Sequence, residues 1–170
     1  MIEDAAEIWG KEGLPLTEHY YSEQPRVTSK RRKMEAQIFD EKLSFWTDAG
    51  VFSKDGLDFG SRLLIESIAQ ELEDHLHLID VGCGYGPIGL FAAKLNPTLR
   101  VTMVDINARA IELSRENARQ NGLEAHIVQS DGFQEVKHLR FDRVVTNPPI
   151  RAGKNIVYSL FNDAYEHLQD

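Results

Sequence analysis

The alternation of apolar and polar segments is regular only in the second part of the chain. From residue 76 onward, short apolar runs alternate with segments of helical periodicity. The apolar runs predict four strands, at residues 76–81, 100–105, 125–129 and 141–146. Consecutive strands joined by helices run parallel with right-handed crossovers, so the pattern predicts a doubly wound α/β sheet with strand order 3-2-1-4.

Capping residues and helix breakers delimit the helices of this part. Pro87 suits a first helical position, because its missing N–H would be unpaired there, and Asn96-Pro97 ends the same helix. A second helix is predicted from Ala108 to about Asn121, with Gly122 closing it. A last helix starts at about Asn155, and its predicted buried residues are Val157, Leu160, Phe161, Ala164 and Leu168.

The first part of the chain carries weaker signals. Residues 1–25 predict a short helix and an extended arm. Alternation over residues 34–47 predicts a β-hairpin, with Met34, Ala36 and Ile38 on one side of the first strand and Leu43 and Phe45 on the returning strand. We therefore divide the chain into an N-terminal arm and hairpin, residues 1–49, and a core, residues 50–170.

The first segment of the core, residues 50–64, reads GVFSKDGLDFGSRLL. Its three glycines and several polar residues stand among apolar ones, which is typical of a structured loop and unusual for a linker. A helix follows, because Leu64, Ile65, Ile68, Ala69 and Leu72 fall on one face, and Ser61 is predicted to cap it.

Composition narrows the class of protein. The 170 residues are 42% apolar and 27% charged, as in one globular domain with a substantial core. No run approaches the ~18 apolar residues of a membrane span, and the N-terminus lacks the pattern of a signal peptide, so a cytosolic protein is expected. The net charge of −8 argues against a broad nucleic-acid surface.

One basic run stands out against the acidic average. Residues 26–33 hold five cations, Arg26, Lys30, Arg31, Arg32 and Lys33. An RNA phosphate contact and a solvated stretch are both open for this run.

Cysteine and histidine positions suggest little chemistry. The single cysteine, Cys83, excludes an internal disulfide, and packing of a small side chain in a tight loop is the role expected for it. The six histidines do not cluster, so no metal site is predicted.

Polar side chains mark the carboxyl ends of all four predicted strands. Asp80 and Asp105 end their strands, Asp131 lies just past the third, and Asn147 follows the fourth. Ligands of doubly wound sheets bind at this edge, beside the point where the strand order reverses. Glycines at positions 82, 84 and 86 let the backbone turn tightly and approach a ligand closely. Together these residues predict a cofactor site.

Two cofactors compete for this site. The run from Gly84 to Gly89 satisfies G-x-G-x-x-G, and Asp105 follows at about the ~20-residue distance of a dinucleotide's ribose contact. Asp80 argues against a dinucleotide, because an anion ahead of the loop repels a pyrophosphate at the helix N-terminus. S-adenosylmethionine fits better: its cationic amine suits Asp80, its ribose hydroxyls suit Asp105, and its adenine amino group suits Asp131.

Three segments carry a resemblance to a known family. Asp80-Val-Gly82-Cys-Gly84-Tyr-Gly86 resembles the first motif of class I methyltransferases, whose sheet is Rossmann-like. Asn147-Pro148-Pro149-Ile150 resembles the N-P-P motif of enzymes that methylate exocyclic or amide nitrogens. The segment of residues 50–64, at this distance from both motifs, is similar to the small-subunit ribosomal RNA guanine-N2 methyltransferases of the RsmC type. The resemblance covers roughly residues 17–168.

The resemblance implies a role for each site residue. Asp80 and the glycines would hold the methionine end, Asp105 the ribose, and Asp131 with Phe133 the adenine. The implied cofactor-binding set is Asp80, Gly82, Cys83, Gly84, Gly86, Asp105, Ile106, Asp131, Gly132, Phe133 and Asn147. The implied catalytic set is Asn147, Pro148, Pro149 and Ile150, and the implied substrate-binding set is Phe52, Phe59, Arg151 and Lys154.

The N-P-P motif has a physical rationale and one departure. An aromatic amine attacks poorly until acceptors take its N–H bonds, and the Asn147 side chain and the Pro148 carbonyl offer two. Where many relatives have Tyr or Phe to stack on the target base, this chain has Ile150, so Phe52 or Phe59 is expected to provide the stacking. Cytosine C5 methylation is disfavoured, because Cys83 lies in the wrong motif for a nucleophile.

We therefore predict a methyltransferase that transfers a methyl group from S-adenosylmethionine to guanine N2 of 16S rRNA. The substrate is either the free rRNA or the small ribosomal subunit. The alternatives are an NAD-dependent oxidoreductase and a non-catalytic RNA- or ribosome-binding module that keeps the cofactor fold.

The end of the chain gives rise to a further expectation. A complete class I sheet has three more strands after the helix that follows N-P-P, yet this chain ends at Asp170. We therefore expect a fragment of a longer chain, in which residues 141–146 form an edge strand. Because that strand is too apolar for a solvent edge, we expect the hairpin or a second copy of the chain to cover it.

Overall fold

A computed structural model gives the structure of residues 28–51, 56–148 and 154–169, with the side chains of residues 154–156 outside the description. The arm and helix predicted for residues 1–25 lie outside these ranges, as does Arg26.

A four-stranded parallel sheet forms the centre of the molecule. Its strands are β3 (His77–Val81), β4 (Arg100–Asp105), β5 (His126–Gln129) and β6 (Arg143–Thr146), in the order β5-β4-β3-β6. This confirms the predicted 3-2-1-4 order, and the bounds agree within two residues. The strands read as continuous apolar runs because both faces of the sheet are covered.

Alternate residues of the strands supply two separate cores. Leu78, Met103 and Ile127 pack on one face, under the helices that follow β3 and β4. Ile79 and Val104 pack on the other face, with Phe133 and other apolar residues. The period of two along each strand therefore sorts its side chains between the two layers.

Three helices cover the first face. They are α1 (Phe59–Ile68), α2 (Pro87–Leu95) and α3 (Ala108–Gln120). The predicted start of α2 at Pro87 and its end before Asn96 are confirmed. Asn107 caps α3, because its side chain accepts from the N–H groups of Arg109 and Ala110.

The cap predicted for α1 is wrong. Asp58, not Ser61, caps the helix, and its Oδ1 accepts from Ser61 N at 3.0 Å. Ser61 is the third helical residue and is buried. Asp and Ser are about equally good caps, so the choice between them depends on where the chain enters the helix.

The predicted hairpin forms as a separate two-stranded sheet. β1 (Arg32–Ile38) and β2 (Glu41–Thr47) pair antiparallel. Ala36, Ile38 and the residues predicted opposite them are buried, and Met34 is partly buried. The buried side meets the helical layer, where the ring of Phe45 lies edge-on to Tyr85 at 5.4 Å between centroids.

The hairpin does not cover the edge strand β6, so that part of the prediction is wrong. It packs on the helical layer, because its apolar side complements the surface between the helices. The end of α4 (Lys154–His167) and the residues after it lie near the start of β6 instead. Phe141 N donates to His167 O, and Gln169 N donates to Phe141 O, both at 2.9 Å. Pairing with a second copy of the chain stays a prediction.

Helix α4 packs on the second face of the sheet through only a narrow stripe of its side chains. Ala164 is buried and Leu160 is partly buried against the core there. Phe161 and Leu168, predicted to be buried, are 55% and 39% exposed. A helix at the sheet margin has few neighbours, so only the side chains that point directly at the sheet are covered. No helix in the described ranges is long and apolar enough to cross a membrane.

Candidate functional site

A cavity of about 420 Å³ opens at the carboxyl ends of the strands. Loops after β3, β4, β5 and β6 meet there, as the topology of a parallel sheet requires. Predicted site residues that line it are Gly82, Cys83, Gly84, Asp105, Ile106, Asp131, Gly132, Asn147 and Pro148. Residues far apart in the sequence, from Gly82 to Pro148, are therefore brought into one wall.

The glycine loop after β3 has the backbone conformation that the sequence predicts. Gly82, Gly84 and Gly86 all have positive φ, at 74°, 59° and 98°. At Gly86 it is the backbone conformation that favours glycine, because the neighbour nearest to an added Cβ, Met103 Cε at 2.8 Å, is the end of a flexible side chain that can move. At Gly82 a Cβ would meet nothing within 4 Å, so the backbone there faces open space.

Asp105, at the end of β4, joins the glycine loop to the next helix. Its Oδ2 accepts from Gly84 N at 2.8 Å, and its Oδ1 accepts from Asn107 N at 2.9 Å. Burial raises the pKa of this carboxyl, and the two N–H bonds act in the opposite direction. Each carboxylate oxygen keeps a further lone pair, so Asp105 can also accept from ligand hydroxyls in the cavity.

Asp80 lies beneath the glycine loop and does not reach the cavity wall. Its carboxyl is fully buried, and Oδ2 accepts from Gly89 N at 3.0 Å. The pKa of this carboxyl is raised to about 7, mainly by burial. The hydrogen bond from Gly89 N–H acts against this rise, and the charge of Asp105 adds to it. The direct amine contact predicted for Asp80 is therefore not part of this arrangement, because the carboxyl points into the packing between β3 and α2.

Phe133 and Gly86 also lie outside the cavity wall. The Phe133 ring is buried in the second core, stacked on His167 with 4.5 Å between ring centroids. A direct adenine contact by that ring is therefore not provided, although its neighbours Asp131 and Gly132 line the cavity. The sequence pattern does not show which residues of this loop line the cavity and which are buried in the core, because it leaves the direction of a loop side chain open.

Cys83 is a buried thiol at the base of the cavity. Its Sγ lies 3.7 Å from Ser114 Oγ. Burial raises the pKa of this thiol well above its ordinary value, and the charges of Asp105 and Asp80 add to the rise. Such a thiol stays protonated and is a poor nucleophile, which agrees with a packing role.

One end of the cavity is formed by Asn147 and Pro148, after β6, and by the start of α1. Asn147 Nδ2 donates to Ser61 Oγ at 3.0 Å and to Asp58 Oδ1 at 3.3 Å. Both Asp58 and Ser61 line the cavity, and sequence reasoning did not assign them to the site. The available signal was the unusual density of polar residues in the segment of residues 50–64.

The exit from the hairpin forms another wall that the sequence did not predict. Val51 lines the cavity and is buried. The backbone before it is held by α3, where Arg109 Nη1 donates to Ala49 O at 2.6 Å and Asn107 Nδ2 donates to Gly50 O at 3.0 Å. The start of α3 therefore positions the segment that closes the cavity.

The predicted substrate residues are described only in part. Phe59 is the first residue of α1 and is 79% exposed, next to Asp58 in the cavity wall. Phe52, Pro149, Ile150 and Arg151 lie outside the described residues, as does the side chain of Lys154. Their roles stay predictions.

Fold and site together define a Rossmann-like methyltransferase: a parallel sheet, a glycine loop, an acid at the next strand end, and an N-P-P motif at one cavity. A model of the family described as "Methyltransferase small domain" matches residues 42–170, and the chain belongs to this family.

Relatives and solved structures agree with this assignment. The chain is 47% identical over 156 residues to the "Uncharacterized protein YbxB" of Bacillus subtilis. It is 40% identical over 141 residues to the "Ribosomal RNA small subunit methyltransferase C" of Aeromonas hydrophila. A solved 16S rRNA N2 methyltransferase (RsmC) of Thermus thermophilus, in complex with AdoMet and guanosine, matches with a TM-score of 0.76 at 27% identity.

The matches cover most of this chain but different shares of its relatives. The match covers 91% of this chain and 77% of the Bacillus protein. For the Aeromonas enzyme it covers 81% of this chain and 40% of that protein, and for the Thermus structure 85% and 41%. The chain thus spans less than half the length of these two methyltransferases.

Proposed function

We propose that this chain transfers a methyl group from S-adenosylmethionine to an exocyclic amine, guanine N2 of 16S rRNA. The observation that carries the proposal is the charge of the cavity. Four carboxylates line it, Asp58, Asp105, Asp131 and Asp163, and no Lys or Arg is among the described lining residues. An anionic wall favours a cationic sulfonium ligand over a pyrophosphate, so a nicotinamide dinucleotide is disfavoured.

The residues present fit S-adenosylmethionine. The cavity volume lies in the ~300 to 1,000 Å³ range of cofactor sites. Asp105 would hold the ribose hydroxyls with its remaining lone pairs, and Asp131 would accept from the adenine amino group. The positive-φ glycines 82 and 132 border open space, where a cofactor can lie against the backbone.

When bound, this cofactor supplies the electrophilic methyl group and a sulfonium leaving group that needs no further activation. The chain has to bind and orient the acceptor amine. The acceptor nitrogen would bond to the methyl carbon as the carbon–sulfur bond breaks and its electron pair goes to sulfur. The N–H proton would then pass to water, so no strong general base would be required.

Asn147 is the residue best placed to orient the acceptor. Its Nδ2 is bound by the α1 start, and its Oδ1 has no hydrogen-bond partner among the described residues. A carboxamide oxygen that accepts an amine N–H draws the nitrogen lone pair out of conjugation with the ring. Positioning of this kind supplies much of the rate of a bimolecular transfer.

Guanine N2 of 16S rRNA is proposed as the acceptor from the relatives. The Thermus structure matched above contains guanosine, and the matched Aeromonas relative is a small-subunit rRNA methyltransferase. The resemblance of residues 50–64 to the same group supports this substrate. Small ribosomal subunits would then be a partner, and because the net charge of −8 argues against a broad nucleic-acid surface, the contact with RNA would be local.

Two measurements test the proposal. Calorimetry with S-adenosylmethionine and with NAD should show binding of the former alone. Incubation with unmodified 16S rRNA or small subunits, followed by nuclease digestion and mass spectrometry, should reveal N2-methylguanosine at one position. NAD binding without a response to S-adenosylmethionine would refute the cofactor assignment, and methylation elsewhere would refute the substrate assignment.

A further inference from the structure

The carboxamide of Asn147 is held entirely through its nitrogen. Nδ2 carries two hydrogens, and two acceptors lie within reach: Ser61 Oγ at 3.0 Å and Asp58 Oδ1 at 3.3 Å. The carboxamide oxygen has no partner in the described ranges. The side chain is thus anchored on one side and free to accept on the other.

Asp58 determines which way this carboxamide points. An ionised carboxylate can only accept hydrogen bonds, so the nitrogen of Asn147 is favoured beside it and the oxygen is repelled. A hydroxyl cannot impose such a choice, because Ser61 Oγ can donate or accept. The orientation that leaves Asn147 Oδ1 free therefore depends on the charge of Asp58.

Asp58 is less favourable for the stability of the fold than an ordinary helix cap would be. Its Oδ2 is buried and has no hydrogen-bond donor among the described residues. A buried acceptor without a partner is unfavourable, and Asn or Ser would cap the helix about as well. Gly60 leaves room for this contact, since a Cβ there would lie 3.2 Å from Asp58 Oδ1 and 3.3 Å from the Asn147 amide.

We propose that Asp58 is a positioning residue for methyl transfer, which fixes the Asn147 carboxamide with its oxygen toward the acceptor amine. Asp58 acts through Asn147 and contacts neither reacting atom. The role joins residues 89 positions apart and makes the N-terminus of α1 part of the acceptor site. The inference rests on the proposed function, because it assigns the acceptor amine to Asn147.

The kinetic test compares Asp58→Asn with Asp58→Ser. Both variants keep a good cap, so thermal midpoints should stay near that of the parent. The Asn variant can donate to Asn147 Oδ1 and allow the reversed amide, and the Ser variant is too short to reach it. We expect single-turnover methylation of 16S rRNA at saturating S-adenosylmethionine to slow at least tenfold in both. Saturation keeps any loss of cofactor affinity, caused by removing one cavity carboxylate, out of the measured rate.

A double-mutant cycle separates positioning from a general structural role. In the Asn147→Ala background, Asp58→Asn should slow the residual rate by less than twofold, because the group it orients is gone. An equal loss in both backgrounds would overturn the proposal. Asp40→Asn, in the exposed hairpin turn, is the matched control and should leave the rate unchanged.

A measurement that does not depend on catalysis distinguishes failure of the proposed Asp58 role from failure of the proposed function. NMR of the Asn147 side-chain amide, assigned by its loss in Asn147→Ala, should show two well-separated protons protected from exchange. Asp58→Asn should shift both signals and speed their exchange. Unchanged signals would refute the contact with Asp58, whereas a parent protein that methylates no RNA would refute the proposed function alone.

Discussion

Asp80 shows how burial gives a single side chain a property that its place in a motif does not reveal. It belongs to the first motif, yet its carboxyl is enclosed and has one oxygen without a hydrogen-bond donor in the described structure. Burial raises its pKa to about 7, so the group is about half protonated at neutral pH. Its hydrogen bond to Gly89 N supports the first turn of α2 next to the glycine loop.

The raised pKa of Asp80 makes stability depend on pH. Between its ordinary pKa near 4 and about 7, the folded protein binds a proton that the unfolded chain has released, so this group's contribution to stability falls as pH rises. Asp80→Asn, which still accepts from Gly89 N, should gain stability relative to the parent by up to about 1.4 kcal/mol per pH unit in this window. Denaturant unfolding of both proteins from pH 4.5 to 8 measures the difference.

Above about pH 7 this difference should level off, because both states of the parent are then ionised. A difference that is constant from pH 4.5 to 8 would contradict the shifted pKa. Asp40→Asn, in the exposed turn, is the control and should show no such trend.

Asn147 should separate binding of the cofactor from chemistry on the acceptor. Asn147→Ala removes the acceptor for the amine N–H, and we expect methyl transfer to fall at least 100-fold, about 2.7 kcal/mol of transition-state stabilisation. Affinity for S-adenosylmethionine should stay within about threefold, since the residues proposed to hold the ribose and the adenine are untouched. Calorimetry together with single-turnover assays measures both; a parallel loss of affinity and rate would show that the role is wrong.

At the scale of elements, polar side chains at the end of α3 hold the backbone of β2, and Asn117 is the most buried of them. Asn117 is fully buried and accepts from Trp46 N at 2.7 Å, and its Nδ2 donates to Trp46 O at 2.9 Å and Tyr85 O at 2.8 Å. It therefore joins the end of β2, α3 and the glycine loop. Helical periodicity alone shows Asn117 among charged residues and gives no hint of this role.

Removal of that side chain should loosen the hairpin. Asn117→Ala removes three hydrogen bonds to backbone groups of Trp46 and Tyr85, and we expect a loss of roughly 2 to 4 kcal/mol in the free energy of unfolding. Denaturant unfolding measures this, and hydrogen exchange should show the loss concentrated in β1 and β2. Glu112→Ala, exposed on the same helix, is the control; equal effects of the two substitutions would refute the docking role.

At the scale of the whole molecule, the site exists only when the fold is complete. Its residues come from the ends of four strands, the start of α1 and the exit of the hairpin. A ligand held by so many elements binds the folded state and has no comparable site in the unfolded chain. Ligand binding and global stability are therefore linked.

This linkage gives a test of the cofactor site without any acceptor. S-adenosylmethionine at 100 times its Kd should stabilise the protein by about 2.7 kcal/mol and raise the thermal midpoint. At the same concentration Asp105→Ala should show a smaller rise, because loss of the acceptor proposed for the ribose hydroxyls would weaken binding by ~1 to 3 kcal/mol. NAD is the matched control ligand; a comparable rise with NAD would contradict the assignment.

The sequence by itself determined the sheet, its parallel order and the chemistry of its edge. Apolar runs separated by helical segments leave few topologies, and Pro87, Asn96 and the glycine loop mark bounds through local backbone preferences. The strand-end positions of Asp105, Asp131 and Asn147 follow from the same pattern, because parallel strands end on one side.

Only the tertiary structure decided which of these residues face the cavity and what holds them. Asp80 and Phe133 carry motif positions yet turn into the two cores, and Phe161 of α4 is exposed at the sheet margin. The cap of α1 meets Asn147 from far along the chain. The physical reason is that periodicity and capping report interactions within a few residues, whereas side-chain direction and pairing are settled by packing between segments distant in sequence.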